Sequence, residues 1–142
     1  MTGGLIISVA LSFALHGSPV PAQKGSYSPD RKDVYDELTK APKKAVNRRN
    51  PMEHDPSAVA AGANLFEQHC AECHGETAEG SRKAPSLRAD PVQQATPGTL
   101  FWILTNGVVR RGMPVWSKLP EPQRWQIVTY LKSLGQGGNP AR

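Results

Sequence analysis

No apolar stretch of this chain is long enough to cross a bilayer. The longest, LIISVALSFAL at residues 5 to 15, has eleven residues, and a spanning helix needs about 20. The run has the length of the central region of a secretory signal. It lacks the Lys or Arg that usually precedes one. Small residues follow it, and Val20-Pro21-Ala22 places Val and Ala at the −3 and −1 positions of a cleavage after Ala22. An uncleaved interfacial segment or a misplaced start are the competing readings. The expectation is export to the periplasm, with residues 1–22 removed and no membrane span left after cleavage. No cysteine stands near the end of the run, which excludes a lipid-anchored cysteine there.

Basic residues interleaved with aromatic ones are missing as well. The formal charge is +5, a mild excess. Nucleic-acid binding calls for basic and aromatic residues gathered together, and no such patch is present, so nucleic acid is not an expected partner. A basic face that meets acidic partners and a plain solvated surface both fit the charge.

Strand patterns and internal repeats are absent, which leaves an all-α chain. Residues 23–54 are polar and rich in Lys, Arg, Asp and Pro. Within them Asp30 to Lys40 suits a helix with Val34 and Leu38 on one side. Those two and Tyr35 are too few for a core, so 23–54 reads as a flexible or surface-hugging arm. Met52 reads as an arm residue too. At Asp55 the pattern changes. Asp55 suits an N-cap and Pro56 the first helical position. Val59, Ala63, Phe66 and Cys70 then recur on one helical face. Gly62 stands inside this helix at a cost of about 1 kcal/mol against Ala, which suggests a close packing contact.

A second helix is expected from Thr96-Pro97 through GTLFWILTN, closed by Gly107. A third opens near Glu121-Pro122. Trp125, Val128 and Leu131 share one of its sides, extended by Ile127 and Leu134, and Gly135 stops it. The folded domain is therefore expected over 55–136, with 137–142 as a tail. Three helices joined by long loops make a poor core, and such loops are suspect unless they serve a ligand.

Cysteine supplies the ligand. There are two in the chain, both in HCAECHGETAEG. Cys70-Ala71-Glu72-Cys73-His74 is C-x-x-C-H, the attachment signature of c-type haem. Two thiols one helical turn apart each reach one vinyl group of a porphyrin, and His74 follows them to the iron. The cofactor expected is one covalent haem c with its iron. A Cys70–Cys73 disulfide closes too small a loop to stabilise much. A dithiol redox motif wants a βαβ setting. A zinc site needs ligands beyond the cysteines, with His69, His74 and His54 available, and crowding four into six consecutive residues strains it. His69 reads more simply as a solvated helix residue.

The other axial position needs a donor. Met113 stands in RRGMPVW. Gly112 before it lets the backbone come close and Pro114 after it stiffens the loop. A thioether suits ferrous iron, and Met/His ligation raises the potential. Arg110 and Arg111 suit either haem propionates or solvent. Trp102 and Trp116 suit packing against the cofactor.

The stretch from about Asp55 to Leu134 resembles a class I, monohaem c-type cytochrome of the bacterial exported type. Four pieces match in order: the first helix with Gly62 and Phe66, the Cys70–His74 motif, Gly112-Met113-Pro114, and RWQIVTYLKSL. The resemblance implies a cytochrome c fold, all-α, wrapped around the haem. It implies that Gly62 packs against the Trp125/Tyr130 side of the last helix. It also implies that the carbonyl of Pro85 orients the His74 imidazole. The function implied is one-electron transfer between redox protein partners, acidic or membrane-bound, with no bond made or broken. A haem-bearing subunit of a dehydrogenase complex and a haem sensor or enzyme with a labile sixth ligand are the alternatives.

Overall fold

The computed structural model describes Met1 and residues 32–135. The expected leader, the first part of the arm and the tail at 137–142 lie outside the described residues. Among the described residues the chain is helical, with one isolated bridge, Val108 to Met113, in place of any strand. A 3-10 helix, Lys32–Lys40, comes first. Then follow α1 (Lys43–Val46), α2 (Pro56–His69), α3 (Ala71–His74), α4 (Asp90–Gln94) and α5 (Pro97–Asn106), a 3-10 turn at Val109–Arg111, and α6 (Glu121–Ser133).

The expected caps hold. The Asp55 carboxylate accepts from the Ser57 amide at 2.8 Å, with Pro56 opening α2. The Thr96 hydroxyl accepts from the Thr99 amide at 3.2 Å, with Pro97 opening α5. Each cap satisfies an amide that has no partner inside its helix. The short helix α4 falls at the end of a stretch expected to be loop. No side chain caps it, and buried Val92 anchors it to the core.

Helix α2 buries Ala58, Gly62 and Phe66, a row shifted from the expected Val59-Ala63 start. Those two are half-buried. Gly62 causes the shift. A Cβ built on it lies 2.0 Å from the Gln126 carbonyl oxygen and 2.9 Å from the Tyr130 Cβ. The backbones of α2 and α6 therefore meet at Gly62, and only a residue without Cβ allows it. Phe66 packs on Tyr130 with ring centroids 5.3 Å apart. Trp125, the other expected neighbour of Gly62, instead stacks on Phe101 of α5 at 4.1 Å. Helix α6 lies between α2 and α5, so Trp125, Ile127, Val128, Thr129, Tyr130 and Leu131 are all buried.

The described part of the arm, 32–54, follows the second of the two readings its composition allowed. It hugs the domain. Tyr35 is buried in the main core, with Val34, Leu38 and Met52 packed against it. Buried Asn50 donates to the Thr129 hydroxyl at 2.8 Å and accepts from the Met52 amide at 2.9 Å. The Thr96 hydroxyl donates to the Val46 carbonyl at 2.9 Å. The Arg48 guanidinium lies 4.4 Å over the Phe101 ring. A few apolar side chains, too few to build a core, suffice to extend one that α2, α5 and α6 already provide.

Candidate cofactor site

Helix α2 ends at His69, and Cys70 leaves helical geometry with φ −123°. A single turn, α3, then begins. The Cys70 carbonyl accepts from the amides of Cys73 at 3.1 Å and His74 at 2.9 Å. The turn brings Cys70, Cys73 and His74 to the wall of one cavity of about 430 Å³. That volume falls in the range of about 300–1,000 Å³ of small-molecule and cofactor sites. Leu100 and Leu104 of α5 and Ile127 and Leu131 of α6 give it an aliphatic lining, and Met113 lines it from the loop after α5. Helix–helix packing thus leaves a gap where the motif and Met113 meet.

The Pro85 carbonyl faces the His74 ring. The His74 Nδ1 lies 2.9 Å from the Pro85 carbonyl oxygen. A carbonyl only accepts, so Nδ1 carries the proton and Nε2 keeps the lone pair. Burial pulls the His74 pKa below its ordinary value, opposed by the bond to Pro85. The ring is therefore neutral at pH 7, the form that ligates a metal. The loop that delivers Pro85 is bonded back to the motif. The Gly80 amide donates to the His74 carbonyl at 2.7 Å and the Ser81 hydroxyl to the Cys73 carbonyl at 2.5 Å. These bonds satisfy carbonyls that the short α3 leaves open.

Both cysteines are free thiols. Burial, and then the neighbouring Cys73, push Cys70 up to about 11, so its thiol is protonated at neutral pH. Among the described residues no three His, Cys, Asp or Glu side chains gather into a metal site. Two thiols, a neutral imidazole of fixed tautomer and a thioether, all on one apolar cavity, do fit a covalently held haem.

Gly112 differs from its expected role. A Cβ on it meets nothing within 4 Å, but its φ is +87°. Glycine is there for the left-handed turn before Met113, not for close approach. That turn lets Met113 pair with Val108, through bonds of 3.0 and 3.2 Å. Trp116 lines the cavity, as expected. Its ring meets His69 at 5.3 Å, so His69 is half-buried at the cavity wall and not a solvated residue. Trp102 lies elsewhere, in a second groove beside Pro42 and Arg48. Met52 does not line the cavity. Arg111 does, whereas the Arg110 guanidinium pairs with Glu37. Val34, Tyr35, Glu37 and Leu38 line the cavity too. Nothing in their spacing connects them to a motif so far along the chain, and the apolar Val34/Leu38 side was the one signal available.

Residues 57–131 match the protein family described as cytochrome c oxidase, cbb3-type, subunit III. The chain is 37% identical over 98 residues to the cbb3-type cytochrome c oxidase subunit CcoP of Azospirillum sp. strain B510, covering 62% of this chain and 32% of that protein. It is 32% identical over 92 residues to cytochrome c550 of Pseudomonas aeruginosa, covering 61% of this chain and 62% of that one. The chain therefore spans about a third of the length of the oxidase subunits it matches. Among solved structures, cytochrome CL of the marine methylotroph Methylophaga aminisulfidivorans superposes with a TM-score of 0.54 at 23% identity, over 74% of this chain and 70% of that one. This likeness is one of fold. Among the described residues no helix is long and apolar enough to cross a membrane. With the motif, the cavity and the fold in agreement, the chain belongs to the cbb3-type subunit III family and is a class I c-type cytochrome domain.

Proposed function

We propose that this chain is a one-electron carrier, an exported cytochrome c holding one haem. Cys70 and Cys73 attach it covalently, and His74 and Met113 are its axial ligands. Pro85 fixes the His74 ring. When bound, the haem supplies a one-electron ferric/ferrous couple. The protein's part is to hold and to exclude. The Pro85 carbonyl keeps the proton on Nδ1 of His74 and so frees Nε2 as the donor. Leu100, Leu104, Ile127 and Leu131 keep the cavity apolar. With the haem bound, the Met113 thioether would be its second ligand from the protein, and the chain would pass an electron without making or breaking a bond itself. The observation that carries this reading is the Pro85-held imidazole beside two free thiols, on a cavity that Met113 also lines.

Redox proteins, acidic or membrane-bound, are the proposed partners, and the periplasm the proposed place. Residues 1–22 are the proposed leader and 55–136 the cytochrome unit, with 137–142 a tail. The family's description, an oxidase subunit, favours a second context with the same chemistry, a haem-bearing subunit of a membrane-bound complex. Recovery of a stable complex from the native envelope decides for the subunit, and recovery of free protein for the carrier.

Met113→Ala tests the ligation. The oxidised wild type should show the weak sulfur-to-iron band at the red end of the visible spectrum. The variant should lose it, show a lower potential, and bind carbon monoxide when reduced. Met52→Ala should change none of these. Carbon monoxide binding to the wild type, with Met113→Ala spectrally silent, overturns the reading.

A further inference from the structure

The family match begins at residue 57, and the haem reading assigns no role to the 3-10 helix Lys32–Lys40. Yet two of its cavity-lining side chains make polar ties that leave it in different directions. Tyr35 is 9% exposed, and its hydroxyl donates to the Ser86 carbonyl at 3.0 Å. Ser86 follows Pro85, whose carbonyl accepts from His74. The Glu37 carboxylate, 14% exposed, accepts from Lys40 at 2.7 Å and from Arg110. Arg110 belongs to the turn Val109–Arg111, and the Val108–Met113 pair closes that turn onto Met113.

Just beyond Met113 the chain is tied to α5, where the Trp116 amide donates to the Leu104 carbonyl at 3.2 Å. Val109, Arg110, Arg111, Gly112, Pro114 and Val115 are all exposed. The backbone bonds of residues 108–113 to one another run from Arg111 to Val108, from Gly112 to Val109 and between Val108 and Met113, so they close within the segment. Glu37 reaches it from another element. Glu37 is largely buried while the Arg110 side chain is 59% exposed, so solvent screens the pair in part.

We propose that Lys32–Lys40 is a clasp that joins the Pro85–Ser86 segment to the Met113 segment, with Tyr35 and Glu37 as positioning residues that keep Met113 seated. The clasp rests on the haem reading in so far as Met113 ligates iron. Loosening either tie lets the Met113 segment open more often, so an added ligand displaces the thioether more readily. One lost hydrogen bond or partly buried pair changes such an opening by about fivefold.

The test uses the exported, haem-loaded full chain, with Tyr35→Phe, Glu37→Gln and the double variant. Thr39→Ala is the control, because Thr39 is exposed and bonds only the Asp36 carbonyl within the same helix. The oxidised protein is titrated with imidazole and followed by the sulfur-to-iron band. Amide hydrogen exchange is read at Val108 and Met113. The concentration for half-displacement should fall about fivefold in each single variant, further in the double, and stay put in Thr39→Ala. Exchange at Val108 and Met113 should quicken in Glu37→Gln. Displacement and exchange equal to wild type overturn the clasp. A wild type without the band overturns the ligation reading instead. The exchange data then decide the clasp alone: faster exchange in Glu37→Gln upholds it, and unchanged rates reject it.

Discussion

Gly62→Ala adds one methyl group at the place where α2 and α6 meet. The added Cβ stands 2.0 Å from the Gln126 carbonyl oxygen, and ordinary contact begins at 3.4 Å. The helices must part by about 1.4 Å, the difference between those two distances. The obstacle is backbone, which has no rotamer to swing away. Parting the helices also loosens Phe66, Ile127 and Val128, the largest fully buried side chains of the core. Overpacking of this kind costs about 3 kcal/mol, the upper end of its usual range. Alanine returns about 1 kcal/mol of helix propensity. The net loss is about 2 kcal/mol, which lowers Tm by roughly 10 °C for a domain of this size. The assay is thermal unfolding of the haem-loaded protein, followed by circular dichroism. Ala60→Gly, at an exposed position of the same helix, reports propensity without the clash and should lose about 1 kcal/mol. A Gly62→Ala protein that melts at or above wild type would refute the close crossing and the reasoning built on it.

Replacing Cys70 and Cys73 together with Ala should abolish covalent haem, read as loss of haem stain on a denaturing gel. The loaded wild type should show no free thiol and a mass above the cleaved chain by one haem. Asn50→Ala removes a buried hydrogen bond to Thr129 of α6 and a part-buried one to the Met52 amide, and should cost about 2 kcal/mol. An unchanged melting temperature there would return residues 32–54 to the status of a loose arm. Electron transfer to an acidic partner should slow between low and high salt, because exposed charges are screened over about 10 Å at 0.1 M. A stopped-flow rate indifferent to salt would leave the basic excess without a role in docking.

What could be read along the chain was the information that acts over a few residues. Asp55-Pro56, Thr96-Pro97 and Glu121-Pro122 mark helix starts because a cap or a proline acts on amides within the next turn. C-x-x-C-H names its cofactor because two thiols and an imidazole must lie within one turn of each other. Pro85 and the Gly62 crossing were within reach only through the family resemblance, since their partners lie well away in sequence. The His74–Pro85 bond and the approach of Gly62 to Gln126 are there in the structure.

Other features were decided by the tertiary structure alone. Trp102 and Trp116 look alike in sequence, yet only Trp116 lines the cavity, because the packing of α5 turns Trp102 toward Pro42 and Arg48. His69 looked solvated until Trp116 closed over it. Residues 32–54 looked loose because propensity and periodicity count only what a segment carries itself. Its stability comes from Ser86, Arg110 and Thr129, which a linear reading cannot bring to Tyr35, Glu37 and Asn50. Three apolar side chains too few for a core of their own join one that other helices supply. The sequence alone thus determined the chemistry of the motif and the ends of the helices. The fold decided what surrounds them, because burial and hydrogen bonding depend on which distant surfaces meet.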